Sequence, residues 1–150
     1  LHGRPGPGGS GMTTPSPGLR TDQLDLAAVH AELLPLFEAY EAALMANDTA
    51  ALADFFWDDE RVTRYGIADR QWGATALAAW RAQVPAPQFT RRLEELRILA
   101  LGPDVAVVQV EFVRSDTALR GFQTQTWARL AGAGWKIVTA HVSMIEWPAA

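Results

Sequence analysis

The run Phe55-Phe56-Trp57-Asp58-Asp59-Glu60-Arg61-Val62-Thr63-Arg64-Tyr65-Gly66 puts an arginine in the middle of a short strand, next to a bulky apolar cluster. A guanidinium does not deprotonate in a protein, so a buried one needs an anionic partner. Two kinds of partner are open to Arg64. One is an acid of the chain, with Asp58, Asp59 and Glu60 close by in sequence. The other is the carboxylate of a ligand, which the planar fork of Arg holds bidentately and Lys does not. Strand alternation places Arg64 on the face of Val62 and Gly66, away from Thr63 and Tyr65.

Tyr40 lies on the apolar stripe of a long helix. It reads either as a core tyrosine with its hydroxyl satisfied at the rim, or as a phenol aimed into a cavity to donate to a ligand or protonate it. Gln123, Gln125 and Trp127 alternate along one face of a later strand. With a three-residue loop at Gly132-Ala133-Gly134, Gln125 falls opposite His141, Gln123 opposite Ser143 and Trp127 opposite Thr139. That register gathers two amides, an imidazole and a hydroxyl on one patch, and a shift of one residue breaks it by parity. His141 by itself also reads as a hydrogen-bonded core histidine.

Other chemistries lack their residues. With no cysteine, there are no disulfides, thiolate metal sites or cysteine nucleophile, and the composition fits a reducing cytoplasm. His30 and His141 lie in different elements and His2 in the N-terminal tail, so no histidine–carboxylate spacing for a catalytic metal appears. No glycine-rich phosphate loop and no G-x-S-x-G elbow are present. The acidic run Asp58-Asp59-Glu60 reads as a solvated loop. An enzyme built on this chain is expected to work without metal or cofactor, through Tyr, Arg, His and amides in a partly apolar cavity.

The elements that would hold these groups follow from periodicity. From Asp22 to Asn47, Leu26, Val29, Leu33, Leu36, Phe37, Tyr40 and Leu44 recur at spacings of three and four, which predicts a helix. Pro35 either kinks it or splits it in two. A second helix is predicted over residues 50–57, a short strand over 61–67, and a third helix over 73–83 with Leu77 and Trp80 facing in. Pro85-Ala86-Pro87 ends that helix. Residues 90–101, 104–114, 120–130 and 135–145 read as four strands joined by turns, an antiparallel meander. The expected class is α+β, with the helices covering one face of the sheet.

The bulk properties agree with one compact domain. The chain has 150 residues, half of them apolar and a fifth charged, and a net charge of −4 that offers no basic footprint for nucleic acid. No apolar run approaches the length of a membrane span. Residues 1–20 read as a disordered Gly/Pro-rich tail, with Leu1 to Gly11 either a cloning remnant or upstream translated sequence. Lacking an apolar segment, the tail does not read as a signal peptide. Residues 21–147 form the single domain. In the last strand neither face carries charge beyond Lys136: Val138, Ala140, Val142 and Met144 form one side, and Trp135, Ile137, Thr139, His141 and Ser143 the other. A sheet face open to water should be more polar, so a homodimer through the sheet is expected.

Taken together, Tyr40-Glu41-Ala42-Ala43-Leu44, Asn47-Asp48, Phe56-Trp57-Asp58, Arg64-Tyr65-Gly66, Gln123-Thr124-Gln125-Thr126-Trp127 and Gly134 to Ser143 resemble the AtzH-like family, which includes the HpxZ oxalurate-catabolism proteins. The resemblance runs from about Val29 to Ile145. It lies within the SnoaL-like, nuclear transport factor 2-like superfamily, and so implies a cone-like curved antiparallel sheet wrapped around N-terminal helices. The family is associated with amidase-signature enzymes in the breakdown of ureides and related nitrogen compounds. The resemblance implies a small, planar, anionic substrate, with Tyr40 and Arg64 as catalytic residues. Trp57, Tyr65, Gln123, Gln125, Trp127, His141 and Ser143 are carried over as substrate-binding positions.

Two departures bear on charge. The family commonly has an arginine where Phe122 stands, and a second basic residue near the end of the third helix, where this chain has Gln83-Val84. The expectation is therefore a pocket with less positive charge. The function expected is metal-free hydrolysis or decarboxylating C–N cleavage of a small N-carboxylated urea or ureide. The alternative is a non-catalytic binding protein, accessory to an amidase-signature enzyme. A SnoaL-like isomerase or cyclase would need an inward carboxylate base, for which Glu111 is the nearest candidate.

Overall fold

The computed structural model describes residues 14–148. Of the expected tail, residues 1–13 lie outside the described residues, and residues 14–20 are exposed without regular structure. A short 3-10 turn at Thr21–Gln23 leads into helix α1 (Ala27–Ala46), followed by α2 (Thr49–Phe55), strands β1 (Thr63–Tyr65) and β2 (Arg70–Trp72), helix α3 (Ala74–Gln83), and strands β3 (Arg91–Ala100), β4 (Val105–Arg114), β5 (Arg120–Leu130) and β6 (Gly134–Ile145). The class is α+β, as expected.

Helix α1 is continuous. Pro35 sits on its exposed side, where the carbonyl left without a donor faces water, so the fold absorbs the missing hydrogen bond without splitting the helix. The buried residues Val29, Leu33, Phe37 and Tyr40 carry the predicted stripe. Asn47 ends the helix in the left-handed conformation (φ 52°), and Asp48 caps α2 by accepting from the Ala51 amide at 3.1 Å.

The sheet corrects the reading in two ways. It has six strands, in the order β2-β1-β6-β5-β4-β3, because a second short strand, β2, returns after β1. It is also mixed: β1 runs parallel to β6 while the other neighbours are antiparallel. Three-residue strands carry too little periodicity for either fact to be read from sequence.

A polarity gradient runs along the inward faces of β4, β5 and α1. At one end of the sheet Ala100, Ala106, Val108, Trp127 and Ile137 pack on Leu33, Phe37 and Leu52 in a dry core. Towards the other end the same faces pass to Phe112 and Arg114 on β4, to Gln125 and Gln123 on β5, and to Tyr40 and Glu41 on α1. One end of the molecule is therefore closed by hydrophobic burial and the other lined by polar groups.

Gly121 lies at the polar end, near the start of β5 and opposite Phe112. A Cβ there would overlap the Phe112 ring of the neighbouring strand. Gly121→Ala is expected to destabilise the fold by about 1–3 kcal/mol through overpacking. Chemical denaturation measures this, and unchanged stability would show that the Phe112 ring is free to move.

Candidate functional site

Strand β6 decides which predicted residues meet. The β5–β6 loop spans residues 131–133, one position earlier than expected, so Leu130 pairs with Gly134. That difference alone preserves parity. A bulge then inserts Val138 between the pairs Trp127↔Ile137 and Thr126↔Thr139 and flips the face of every later residue. Gln125 thus lies opposite Ala140 and Gln123 opposite Val142, while His141 faces Thr124 and Ser143 faces Phe122. The expected patch of two amides, an imidazole and a hydroxyl does not form.

The polar end of the sheet encloses a cavity of about 420 Å³. Four arginines line it: Arg64 from β1, Arg81 from the last turn of α3, Arg91 from β3 and Arg114 from β4. Tyr40, Trp80, Phe112, Gln123 and Gln125 complete the inner wall, and the segment from Val84 to Phe89 closes one side.

Arg64 has an acid of the chain, though not one of the three expected. Its Nη1 donates to Asp69 Oδ1 at 2.7 Å and to Gln71 Oε1 at 2.9 Å, and Gln71 Nε2 donates to the same Asp69 oxygen. The β1–β2 turn brings them together, since Gly66 N bonds Asp69 O. The guanidinium also stacks on Trp80, 4.1 Å from the ring centroid. Burial lowers its pKa from the ordinary value; Tyr40 and Asp69 oppose that shift and Arg81 adds to it. Asp59 is taken by Arg61, and Glu60 accepts from the amide and hydroxyl of Thr75.

Arg81 differs from the other three. It is 5% exposed, has no carboxylate partner among the described residues, and its Nη2 has no hydrogen-bond acceptor. Arg91 is held loosely by the buried Glu41, at 3.4 Å, and donates to Gln123 Oε1 at 3.2 Å. Among the described residues its Nε has no acceptor, nor has Gln123 Nε2 a partner. Arg114 is paired with Asp116 at 2.9 Å and stacks on Phe89. The cavity thus presents buried donors in excess of its acceptors, an arrangement suited to a small anion.

Tyr40 lies within electrostatic reach of both Arg64 and Arg91. Gln123 and Gln125 lie on the cavity wall. Tyr65 and His141 reach only its edge, with exposed rings edge-on to each other at 5.7 Å. Three expected binding positions lie elsewhere. Trp57 stacks under Arg61 beside α2, Trp127 is fully buried and donates to Gln125, and Ser143 faces outward. Phe122 is also on the outer face, against Trp147, so its identity does not alter the cavity's charge. Glu111, the acid considered as an inward base, pairs with Arg120 and does not line the cavity. The expectation of a charge-depleted pocket is overturned by Arg81 and Arg91.

A curved sheet packed on a long helix, with a polar cavity at one end, defines the nuclear transport factor 2-like fold. A protein of that superfamily from Salmonella enterica aligns with a TM-score of 0.64 at 20% identity, over 82% of this chain and 93% of its own. The chain belongs to the AtzH-like family, whose pattern matches residues 22–147. A protein of unknown function from Pectobacterium atrosepticum is 38% identical, with a TM-score of 0.82, over 85% of this chain and 99% of its own. A cystatin-like fold protein from Burkholderia xenovorans is 40% identical, with a TM-score of 0.81, over 87% of this chain and 100% of its own. Comparison with curated proteins gave no match.

An unpaired buried guanidinium is a burden on the fold. Arg81→Met keeps the length and apolar stem, and is expected to raise stability by about 1 kcal/mol or more while abolishing anion binding. Thermal unfolding and calorimetry together check this. A loss of stability would mean that Arg81 is satisfied within the free protein.

Proposed function

We propose that the chain is an enzyme that cleaves a C–N bond in a small N-carboxylated urea or ureide, with loss of the carboxyl as carbon dioxide. The observation that carries this reading is the buried, unpartnered face of Arg81 beside Arg64 and Tyr40 in a cavity sized for a small molecule. Membership of the AtzH-like family supports it. Arg64 and Arg81 would hold the carboxylate, with the Arg64 fork already aligned by Asp69 and Gln71. The bond from nitrogen to the carboxyl carbon breaks, its electron pair stays on nitrogen, and Tyr40 delivers the proton that nitrogen takes up. Arg64 and Arg91 stabilise the phenolate left on Tyr40 until solvent reprotonates it. None of these steps calls on a metal, and among the described residues no three His, Cys, Asp or Glu side chains converge on one point.

The site variants test the chemistry. Arg64→Lys is expected to keep the fold and lose most turnover, because a point charge replaces the fork. Tyr40→Phe should lower turnover by about a hundredfold with anion affinity retained. Carbon dioxide release from ureides and carboxylated ureas, matched by the decarboxylated product, is the readout. Binding without turnover across that panel would favour the accessory role beside an amidase-signature enzyme, and unchanged turnover in Tyr40→Phe would end its catalytic assignment.

We also propose that two copies pair through the outer sheet face. The bulge changes which residues this involves: Ala140 and Val142 line the cavity, so they are not available to a partner. Val105, Val107, Val113, Phe122 and Ala128 lie on the outer face instead, with Leu99 and Ile145 exposed beside them. Val107→Glu is expected to convert a dimer to monomers by light scattering, and a wild-type monomer at micromolar concentration would refute the pairing. No helix among the described residues is long and apolar enough to cross a membrane.

A further inference from the structure

Glu41 is a buried carboxylate that the proposed chemistry does not use. It lies on α1, 8% exposed, next in sequence to Tyr40, and does not line the cavity itself. Its Oε1 sits 3.4 Å from Arg91 Nη2 and has no hydrogen-bond partner. Arg91 stands between Glu41 and the cavity. Its side chain is 7% exposed, its guanidinium lies 4.0 Å from the centroid of the Phe112 ring, and its Nε has no acceptor. One guanidinium thus serves two sides, with a carboxylate behind it and the cavity in front.

We propose that Glu41 couples anion binding to proton uptake: an anion held by Arg64 and Arg81 also draws on the neighbouring positive charge of Arg91 that now balances Glu41, and Glu41 takes up one proton from solvent as the anion seats. This rests on the reading of the cavity as an anion site. A buried carboxylate keeps its charge only while a counter-ion compensates it. An anion held by Arg64 and Arg81 with Arg91 on its flank brings a second negative charge against Arg91, and neutralising Glu41 relieves it. Burial already raises the pKa of Glu41 from its ordinary value, against the pull of Arg91.

The groups around this pair do not offer the same coupling. Tyr40 precedes Glu41 on α1, and Gln123 meets Arg91 from β5 without titrating. From β4, Arg114 opposes the charge on Arg91 but carries its own acid, Asp116. Across the cavity Asp69 is bound to Arg64, and Arg81 is a cation with no acid to displace. His141 is the one histidine on the cavity among the described residues, at its edge, and it serves as the control.

By linkage, the dissociation constant should rise about tenfold per pH unit between the pH at which Glu41 ionises in the free protein and that at which it ionises in the complex. The probe is oxamate, a planar carboxylate that stays ionised throughout. Titration calorimetry in buffers of different ionisation enthalpy, from about pH 5 to about pH 9, counts the protons taken up. The wild type should take up close to one proton per oxamate within that window. Glu41→Gln should bind oxamate with no uptake and no pH slope, while His141→Gln keeps both. Binding to the wild type without proton uptake at any pH overturns the proposal and leaves the anion-site reading standing. Uptake that survives in Glu41→Gln, or disappears in His141→Gln, also overturns it. If the wild type binds no oxamate, the anion-site reading fails and the coupling with it.

Discussion

Burying positive charge is the constraint on which this structure turns. Moving a guanidinium out of water costs several kcal/mol even after relaxation, and Arg64, Arg81 and Arg91 are all largely withdrawn from solvent. The gradient along the sheet is how the fold carries that cost. Trp127, Ile137, Val108, Leu33 and Phe37 make a dry core at one end, which anchors the strands. The strands then continue past the core, and their last inward residues are held in place whether or not their own contacts are favourable. Arg114, Gln123 and Arg91 sit at those continuations.

Each arginine meets the constraint differently. Arg64 is held at Nη1 by Asp69 and Gln71 and lies against the Trp80 face, so its orientation is fixed before any ligand arrives. Arg114 is tied to Asp116 and Phe89 at the entrance. Arg91 has a distant counter-charge in Glu41, and among the described residues Arg81 has only the Trp80 ring, 4.8 Å away. Pairing weakens from Arg64 through Arg91 to Arg81, and the electrostatic pull on an incoming anion strengthens in the same order.

Much of this was legible in the sequence, and what was missed has physical causes. The α+β class, the stripe on α1 and the inward position of Arg64 followed from periodicities of three to four and of two. Glu41 carried a signal that went unread: Val29, Leu33 and Phe37 step by four, and Glu41 is the next step, a charged residue on the buried face. Arg81 stands likewise four residues after Leu77, whose inward position was expected. The inward basic charge of α3 stands at Arg81 and not at its very end, because helical phase rather than nearness to the terminus decides which side chain faces the cavity. The β6 bulge left no comparable trace. Val138 is an ordinary β-branched residue in an ordinary strand, and only pairing with β5 reveals it as the extra one. That one residue moved His141 and Ser143 out of the expected patch and brought Ala140 and Val142 in.

The unpaired state of Arg81 also bears on affinity. A ligand that brings its own carboxylate to Arg81 restores a counter-ion the fold withholds, and the desolvation of that guanidinium was already met when the chain folded. Binding then gains the Coulomb attraction in a low-dielectric site without bearing the desolvation of the protein's charge a second time. A solvent-exposed arginine offers no such advantage, since its water must be stripped at the moment of binding. The stability forgone at Arg81 is in this sense stored as preorganisation, and it can be recovered only by an anion small enough to enter beside Trp80 and Tyr40.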